Sequence, residues 1–301
     1  MLSVTILGNN SAVPAFNRHP TSQVVSQDGT NYLVDCGEGT QIQMIKYKIR
    51  RGKISHIFIS HLHGDHYFGL VGLLNTFGLL SHKQELHVFG PNPLQQIIEM
   101  QMKVAETILP YPLHFHSLTK HEVLVDNEDI RITAFPTTHR IECYGFLFEE
   151  KEGKRKLLID KVRKLNIPLS FYSSLQRGLD YITPRGQVVR NDDVTTAPQR
   201  GKKYAFCADT KYDEAIIPYI YGSDMIYHEA TYLDNMREKA FERFHCTTKQ
   251  AAEIAKKAMA KKLLIGHFSS KYSTLEHFEM EAREVFPNTD LAIEGATYEI
   301  H

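Results

Sequence analysis

Residues 54–66, with the sequence ISHIFISHLHGDH, place three histidines and one aspartate directly after a short apolar run. The run at 54–60 contains three isoleucines and one phenylalanine and predicts a β-strand. Because residues i and i+2 of an extended segment point to the same side, the side chains of His61 and His63 can converge on one point.

Gly64 follows these two histidines and lets the chain turn sharply. Asp65 and His66 then stand where the next helix is predicted to begin, so they can face a second point close to the first. Three imidazoles and a carboxylate within six residues are unfavourable in a core that holds no cation. The hexapeptide at 61–66 therefore predicts a metal site, and its nitrogen and oxygen ligands suit a metal such as zinc.

Further ligands are expected from later strand ends, because one hexapeptide cannot complete two sites. His139, Asp209 and His267 each follow a predicted apolar strand, in the sequences FPTTH, FCADT and LLIGH. Taken singly, each residue could be a capping aspartate or a structural loop histidine. Three matching placements together favour a metal site.

The remaining pattern predicts an α/β protein in which strands and helices alternate in two successive groups. The predicted strands are 2–7, 22–26, 32–35, 54–60, 86–89, 113–116, 130–135, 144–148, 204–207, 225–227 and 263–265. The predicted helices are 38–49, 67–80, 92–106, 247–260 and 275–286. Two such groups suggest two stacked sheets with helices on the outside.

The composition is that of a globular protein that can bury a core. The chain has 301 residues, of which 42% are hydrophobic and 23% charged. Its 35 basic and 35 acidic residues cancel, which excludes a globally basic nucleic-acid binder but not a local basic patch. The four cysteines form no CxxC pair, and we expect reduced thiols and a cytoplasmic location.

No segment predicts export or membrane insertion. The apolar start at 1–8 is too short for a signal peptide. The charge-free stretch at 67–81 falls short of the roughly 20 residues that a membrane helix needs. We expect it to form a buried helix.

The region at 151–200 has a different character. Residues 151–164 carry seven basic and two acidic side chains, and glycine and proline recur afterwards. The region is either an arm that leaves the main body or an ordinary surface loop with a solvated charge run.

Several motifs resemble the tRNase Z (ribonuclease Z) family of the metallo-β-lactamase superfamily. The HxHxDH pattern marks only the superfamily, whereas HEAT at 228–231, the following His-x-Thr at 245–247 and GHFSSKY at 266–272 are more specific to the family. The other matching motifs are GNNSAVP at 8–14, DCGEGTQ at 35–41, FGP at 89–91 and CADT at 207–210.

The resemblance implies one metallo-β-lactamase-fold domain over residues 1–301, an αββα sandwich whose site lies at one edge between the sheets. It also implies two Zn²⁺ ions per chain, although such ligands accept Mn²⁺ as well. The first ion would be held by His61, His63 and His139. The second would be held by Asp65, His66 and His267, with Asp209 bridging both.

The implied activity is removal of 3′ trailers from precursor tRNA, leaving a 3′-hydroxyl on the tRNA. Asp65 could accept a proton as well as bind metal, and the resemblance makes His245, paired with Glu229, the donor to the leaving oxygen. The alternative for the His245–Glu229 pair is a buried structural hydrogen bond. Asp35 either forms a turn or hydrogen-bonds a ligand histidine, and Thr231 is a candidate phosphate contact.

The expected partners are precursor tRNA and a second copy of the chain in a homodimer. Family members carry a tRNA-gripping arm with a Gly-Pro motif, but here the candidate arm at 151–200 looks shortened and lacks that pair. Ala208 also stands where the family usually has glycine. Two alternatives therefore stay open: a hydrolase of a small phosphodiester or ester, and a catalytically silent RNA-binding scaffold.

Overall fold

The computed structural model describes residues 2–301 and is a two-sheet α/β structure. Its strands, in chain order, are β1 (Leu2–Gly8), β2 (Asn10–Ser11), β3 (Ser22–Gln27), β4 (Thr30–Val34), β5 (Ile54–Phe58), β6 (Leu86–Pro91), β7 (Leu113–Leu118), β8 (Glu122–Asp126), β9 (Ile130–Pro136), β10 (Tyr144–Glu150), β11 (Lys156–Leu157), β12 (Tyr181–Ile182), β13 (Val188–Val189), β14 (Thr195–Thr196), β15 (Lys203–Cys207), β16 (Met225–Glu229), β17 (Lys262–Gly266), β18 (Phe268–Ser269), β19 (Thr289–Leu291) and β20 (Thr297–Glu299).

The α-helices are α1 (Thr40–Lys46), α2 (Gly64–Tyr67), α3 (Leu70–Leu79), α4 (Pro93–Val104), α5 (Ile159–Lys164), α6 (Tyr172–Gln176), α7 (Asn191–Val194), α8 (Ile217–Ile220), α9 (Arg237–Arg243), α10 (Thr248–Lys257) and α11 (Glu276–Val285). Short 3₁₀ helices occur at Arg51–Lys53, Leu169–Phe171, Glu214–Ile216 and Asp234–Met236.

Two large sheets contain most of the strands. The first has the order β20-β1-β3-β4-β5-β6-β7, and the second has the order β19-β17-β16-β15-β10-β9-β8. Strands β4 to β7 are parallel, as are β15, β16, β17 and β19. The carboxyl ends of the parallel strands meet at one edge of each sheet. The HxHxDH motif, Asp209 and His267 follow the ends of β5, β15 and β17, whereas His139 follows the antiparallel strand β9.

The two sheets pack face to face through an aromatic core. Phe58 of the first sheet lies 5.3 Å from Phe146 of the second, measured between ring centroids. Separate apolar clusters lie on the outer faces, where α1, α3 and α4 cover the first sheet and α10 and α11 cover the second. This layering confirms the predicted αββα sandwich.

Some elements differ from the sequence-based expectation. The predicted buried helix at 67–80 corresponds mainly to α3, and only one side of α3 is buried: Leu73 and Phe77 are buried, whereas Leu79 is 85% exposed. Because apolar residues occur on both sides of this helix, the sequence pattern does not reveal which side is exposed. The pattern also missed β8 and α9, which are short and rich in charged residues.

The segment at 151–200 has secondary structure of its own. It contains α5, α6, α7 and two small two-stranded sheets, β11-β14 and β12-β13. A small apolar cluster holds it together, formed by Val162, Ile167, Leu175, Val189 and Val194. This cluster is separate from the three clusters of the sandwich.

The four cysteines are buried and free, as expected for reduced thiols. Burial raises the pKa of the Cys36 thiol to about 12, so this side chain stays protonated near neutral pH. None of the helices within residues 2–301 combines the length and the apolar character of a membrane-spanning helix.

Replacing Phe206 with alanine should test the central core. The Phe206 ring is fully buried and stacks on Tyr227 with 5.1 Å between centroids. The Phe206→Ala variant should lower the free energy of unfolding by about 3–5 kcal/mol, because a large aromatic ring is lost and a cavity remains. Urea denaturation followed by circular dichroism measures the change, and a loss below about 1 kcal/mol would contradict this packing.

Candidate active site

Seven side chains gather at the edge between the two sheets. They are those that the sequence singled out as metal ligands: His61, His63, Asp65, His66, His139, Asp209 and His267. The structure places potential ligand atoms of His61, His63, His139 and Asp209 within 4.8 Å of one another, and does the same for Asp65, His66 and His267.

The first group is built around three imidazole nitrogens. His63 Nδ1 lies 3.0 Å from His61 Nε2 and 3.1 Å from His139 Nε2. Asp209 Oδ2 lies 3.7 Å from His61 Nε2 and 3.9 Å from His139 Nε2. Three nitrogens and one oxygen thus face a common point.

The second group faces the other oxygen of the same carboxylate. Asp209 Oδ1 lies 3.5 Å from His66 Nε2 and 3.3 Å from His267 Nε2. Asp65 Oδ2 lies 3.6 Å from His66 Nε2 and 3.4 Å from His267 Nε2. Asp209 therefore stands between the two groups, with one oxygen toward each.

Local backbone geometry explains how one hexapeptide serves both groups. His63 is extended, with φ −74° and ψ 143°, and α2 starts at the next residue. A Cβ atom at Gly64 would lie 2.2 Å from the Phe68 ring, so a larger residue at this position would have to displace that exposed ring. The backbone N–H of Ala12 donates to Asp65 Oδ2 at 2.7 Å and fixes that carboxylate.

The outward nitrogens of four of these histidines are held by hydrogen bonds. His66 Nδ1 lies 2.7 Å from Asp35 Oδ2, and His61 Nδ1 lies 3.0 Å from Ser60 Oγ. His139 Nδ1 lies 3.0 Å from the Phe244 carbonyl oxygen, and His267 Nδ1 lies 2.9 Å from Thr231 Oγ1. These partners fix the tautomer that leaves each Nε2 free to bind.

Asp35 combines the two roles that the sequence left open. Its backbone has φ 55°, a left-handed conformation suited to a turn, and its carboxylate is buried. Both oxygens are engaged, because Ser60 N donates to Oδ1 at 2.7 Å while His66 and the Ser60 hydroxyl contact Oδ2. Asp35 thus forms the turn and also orients a histidine of the cluster.

Two buried atoms of the cluster have no hydrogen-bond partner, which is the arrangement expected of metal ligands. His66 Nε2 and Asp209 Oδ1 are buried without a hydrogen-bond partner. An unsatisfied buried polar group costs about 1–3 kcal/mol, which a cation bound between them would offset. Although burial alone would raise it, the His267 and His66 imidazoles hold the pKa of Asp209 well below its usual range.

Glu229 and His245 form a second buried pair beside the cluster. His245 Nδ1 lies 2.9 Å from Glu229 Oε1, and the Glu229 side chain is inaccessible to solvent. Burial lowers the pKa of His245, but the carboxylates of Glu229 and Asp209 outweigh it and raise the pKa to about 9. A protonated imidazole held in this way is suited to donate a proton.

The structure also reveals site residues that the sequence reading missed. The Ser60 hydroxyl supports His61, and its only sequence signal is its place directly before the HxHxDH motif. The sequence offers Thr231 as a candidate phosphate contact, but its side chain is buried against Glu229 and His267. Arg140 follows His139 and lines a cleft of about 440 Å³ over the site, together with the exposed ring of Phe68.

Comparison with known proteins gives two kinds of match. A family model described as Anti-Pycsar protein Apyc1 matches residues 2–160, which include six of the seven strands of the first sheet and the HxHxDH motif. The ribonuclease Z of Cytophaga hutchinsonii is 43% identical over 298 residues, covering 97% of this chain and 94% of that protein. The ribonuclease Z of Porphyromonas gingivalis is 41% identical over 294 residues, covering 97% of both.

Solved structures agree with this result. Human tRNase Z, short form, has a TM-score of 0.73 and 28% identity, covering 99% of both chains. A metallo-β-lactamase-fold protein from Bacillus subtilis has a TM-score of 0.70 at 19% identity, covering 99% of this chain and 98% of that one, which shows the fold alone.

The sandwich and the histidine–aspartate cluster at its edge define a metallo-β-lactamase-fold protein. The matches to curated relatives extend over nearly the whole chain, beyond the region that the family model covers. The chain belongs to the ribonuclease Z family.

Replacing Asp209 with asparagine should remove metal from the whole cluster. The amide keeps the size of the carboxylate but loses the negative charge that both groups share. After reconstitution and dialysis, metal analysis should find less than half the metal content of the unmodified protein. The Asp160→Asn variant, at an exposed position of α5, serves as the control and should retain full metal. Equal metal content in both variants would contradict a role for Asp209.

Proposed function

We propose that this protein is an endoribonuclease that removes 3′ trailers from precursor tRNA and leaves a 3′-hydroxyl on the tRNA. The observation that carries the proposal is about 40% identity to proteins named ribonuclease Z over 97% of the chain. The seven-residue cluster and the adjacent Glu229–His245 pair supply groups suited to phosphodiester hydrolysis.

The proposed cofactor is a pair of Zn²⁺ ions, with Mn²⁺ as a possible substitute. His61, His63 and His139 would hold one ion, Asp65, His66 and His267 the other, and Asp209 both. When bound, such a pair supplies hydroxide at neutral pH and neutralises charge that develops on the phosphate. The separate orientation of the two Asp209 oxygens supports this division of the ligands.

The remaining steps belong to side chains of the chain itself. Asp65, oriented by the Ala12 N–H, accepts the proton of the attacking water. His245, held by Glu229, donates a proton to the 3′-oxygen as the bond from phosphorus to the tRNA breaks. The trailer then leaves with the phosphate at its 5′ end.

Substrate attraction is assigned to local basic patches, because the chain as a whole is neutral. One patch consists of Lys46, Lys48, Arg50, Arg51 and Lys53 beside α1. The other lies in the 151–200 segment, which we propose is a substrate-binding arm inserted into a single metallo-β-lactamase-fold domain. We also propose a cytoplasmic homodimer; Ile42 and Ile45 on α1, both more than 60% exposed, are apolar groups available for such a contact.

Cleavage mapping should distinguish the proposed activity from the alternative function, a hydrolase of small phosphodiesters. The altered arm, which lacks the Gly-Pro pair, is the reason for testing this alternative. The zinc-loaded protein should cut a 3′-extended precursor tRNA after the discriminator nucleotide. Sequencing and end-group analysis should find a 3′-hydroxyl on the tRNA and a 5′-phosphate on the trailer. Asp65→Ala, which loses both a ligand and the proton acceptor, should be inactive. Turnover of bis(p-nitrophenyl) phosphate without cleavage of the precursor would favour the alternative.

Neutralising the basic end of α5 should test the arm. Lys161, Arg163 and Lys164 are exposed. Replacing all three with alanine should raise KM for precursor tRNA several-fold, leave turnover of bis(p-nitrophenyl) phosphate unchanged, and reduce the log–log salt slope by about 0.7–0.9 per lost phosphate contact.

The charge-matched control for this variant replaces Lys103, Lys120 and Lys256, three exposed lysines outside the segment. It should bind precursor tRNA as the unmodified protein does. If both triple variants lose affinity equally, the 151–200 segment has no special role in binding.

A further inference from the structure

The buried Glu229 carboxylate contacts two histidines by different routes. Oε1 accepts from His245 Nδ1 at 2.9 Å and also from the backbone N–H of Cys246 at 3.0 Å. Oε2 accepts from the Thr231 hydroxyl at 2.8 Å and from the Thr231 backbone N–H at 3.0 Å. The Thr231 hydroxyl oxygen, in turn, lies 2.9 Å from His267 Nδ1.

Proton accounting fixes the direction of these hydrogen bonds. An ionised carboxylate only accepts, so the single Thr231 hydroxyl proton points to Glu229 Oε2. The hydroxyl oxygen is then an acceptor, and His267 must carry its proton on Nδ1 to donate to it. That tautomer leaves the lone pair of His267 Nε2 directed at Asp65 and Asp209.

The same arrangement occurs on the other side of the cluster. The buried Asp35 carboxylate contacts His66 directly at 2.7 Å and accepts from the Ser60 hydroxyl at 2.9 Å. The Ser60 oxygen lies 3.0 Å from His61 Nδ1. Each buried carboxylate therefore reaches one histidine directly and a second one through a hydroxyl.

We propose that Thr231 and Ser60 are positioning residues whose hydroxyls relay the orientation set by Glu229 and Asp35 to His267 and His61. Glu229 then has two roles. Its Oε1 atom accepts a hydrogen bond from the proton donor His245, and its Oε2 atom determines the tautomer of His267 through the Thr231 hydroxyl. The proposal rests on the metal-binding part of the proposed function and is independent of the substrate.

A substitution that removes the Thr231 hydroxyl separates these two roles of Glu229. Thr231 is 1% exposed, and valine has nearly the same shape but no hydroxyl. In a Thr231→Val variant the backbone N–H at this position still donates to Glu229, and Glu229 Oε1 keeps its 2.9 Å contact with His245 Nδ1. The hydroxyl oxygen that is lost also lies 3.3 Å from His245 Nδ1, so a His245→Ala variant is needed to separate the two contacts. The variant leaves the buried His267 Nδ1 without its acceptor, so the second group should bind metal less tightly.

Metal retention provides a test that needs no RNA. Zinc-loaded protein is challenged with a chromogenic chelator, and the release of each ion is followed. Thr231→Val should release one of its two ions at about 10–100-fold lower chelator concentration than the unmodified protein, the usual cost of losing a group behind a metal ligand. Thr231→Ser keeps the hydroxyl and should retain both ions.

Two variants isolate the hydroxyl from packing and from His245. If Thr231→Ser loses zinc as readily as Thr231→Val, disturbed packing at this position and not the loss of the hydroxyl is responsible, and the proposal is wrong. His245→Ala should retain both ions, since His245 is assigned to proton donation. Equal zinc loss in His245→Ala and Thr231→Val would show that His245 contributes to metal binding. That result would contradict the assignment of His245 to proton donation alone.

Nitrogen-15 NMR of the unmodified, zinc-loaded protein covers the case in which Thr231→Val does not fold. His267 should show a protonated Nδ1 and a metal-bound Nε2, with the Nδ1 proton protected from exchange. The opposite tautomer would refute the relay. Failure to cleave precursor tRNA with normal zinc retention would instead refute the proposed function alone.

Discussion

The carboxylate of Asp209 is the constraint around which the candidate active site is arranged. It is 3% exposed, and its two oxygens lie 3.3–3.9 Å from five imidazole nitrogens. A buried negative charge is costly unless opposite charge lies beside it. The fold satisfies this requirement by bringing residues that are remote in sequence to one point, and it can do so because β5 of the first sheet and β15 and β17 of the second end at the same edge.

Around this carboxylate, acidic groups act as supports for histidines. Asp35 lies behind one side of the cluster and Glu229 behind the other, and both are inaccessible to solvent. Neither is directed at the centre of the cluster, yet their hydrogen bonds determine which nitrogen of each histidine is free. The carboxylates of Asp35 and Glu229 therefore orient histidine side chains from behind, and those histidines in turn surround Asp209.

Much of the fold and cluster could be predicted from sequence because the relevant signals are local. The HxHxDH motif closely follows an apolar strand, and His139, Asp209 and His267 each come within three residues of the end of a strand. The contribution of Ser60 could not be predicted, since a serine before a histidine is common and its function depends on a carboxylate 25 residues away. Helix α9 was missed because its charged sequence REKAFER lacks a continuous apolar stripe; its single buried residue is Ala240.

The small apolar cluster of the 151–200 segment has an evolutionary consequence. Val162, Leu175 and Val194 pack with one another and not with the sandwich core. Mutations that reshape this cluster can therefore accumulate without disturbing the imidazoles at the sheet edge. Such a layout allows the sequence of the 151–200 segment to diverge while every candidate ligand is retained.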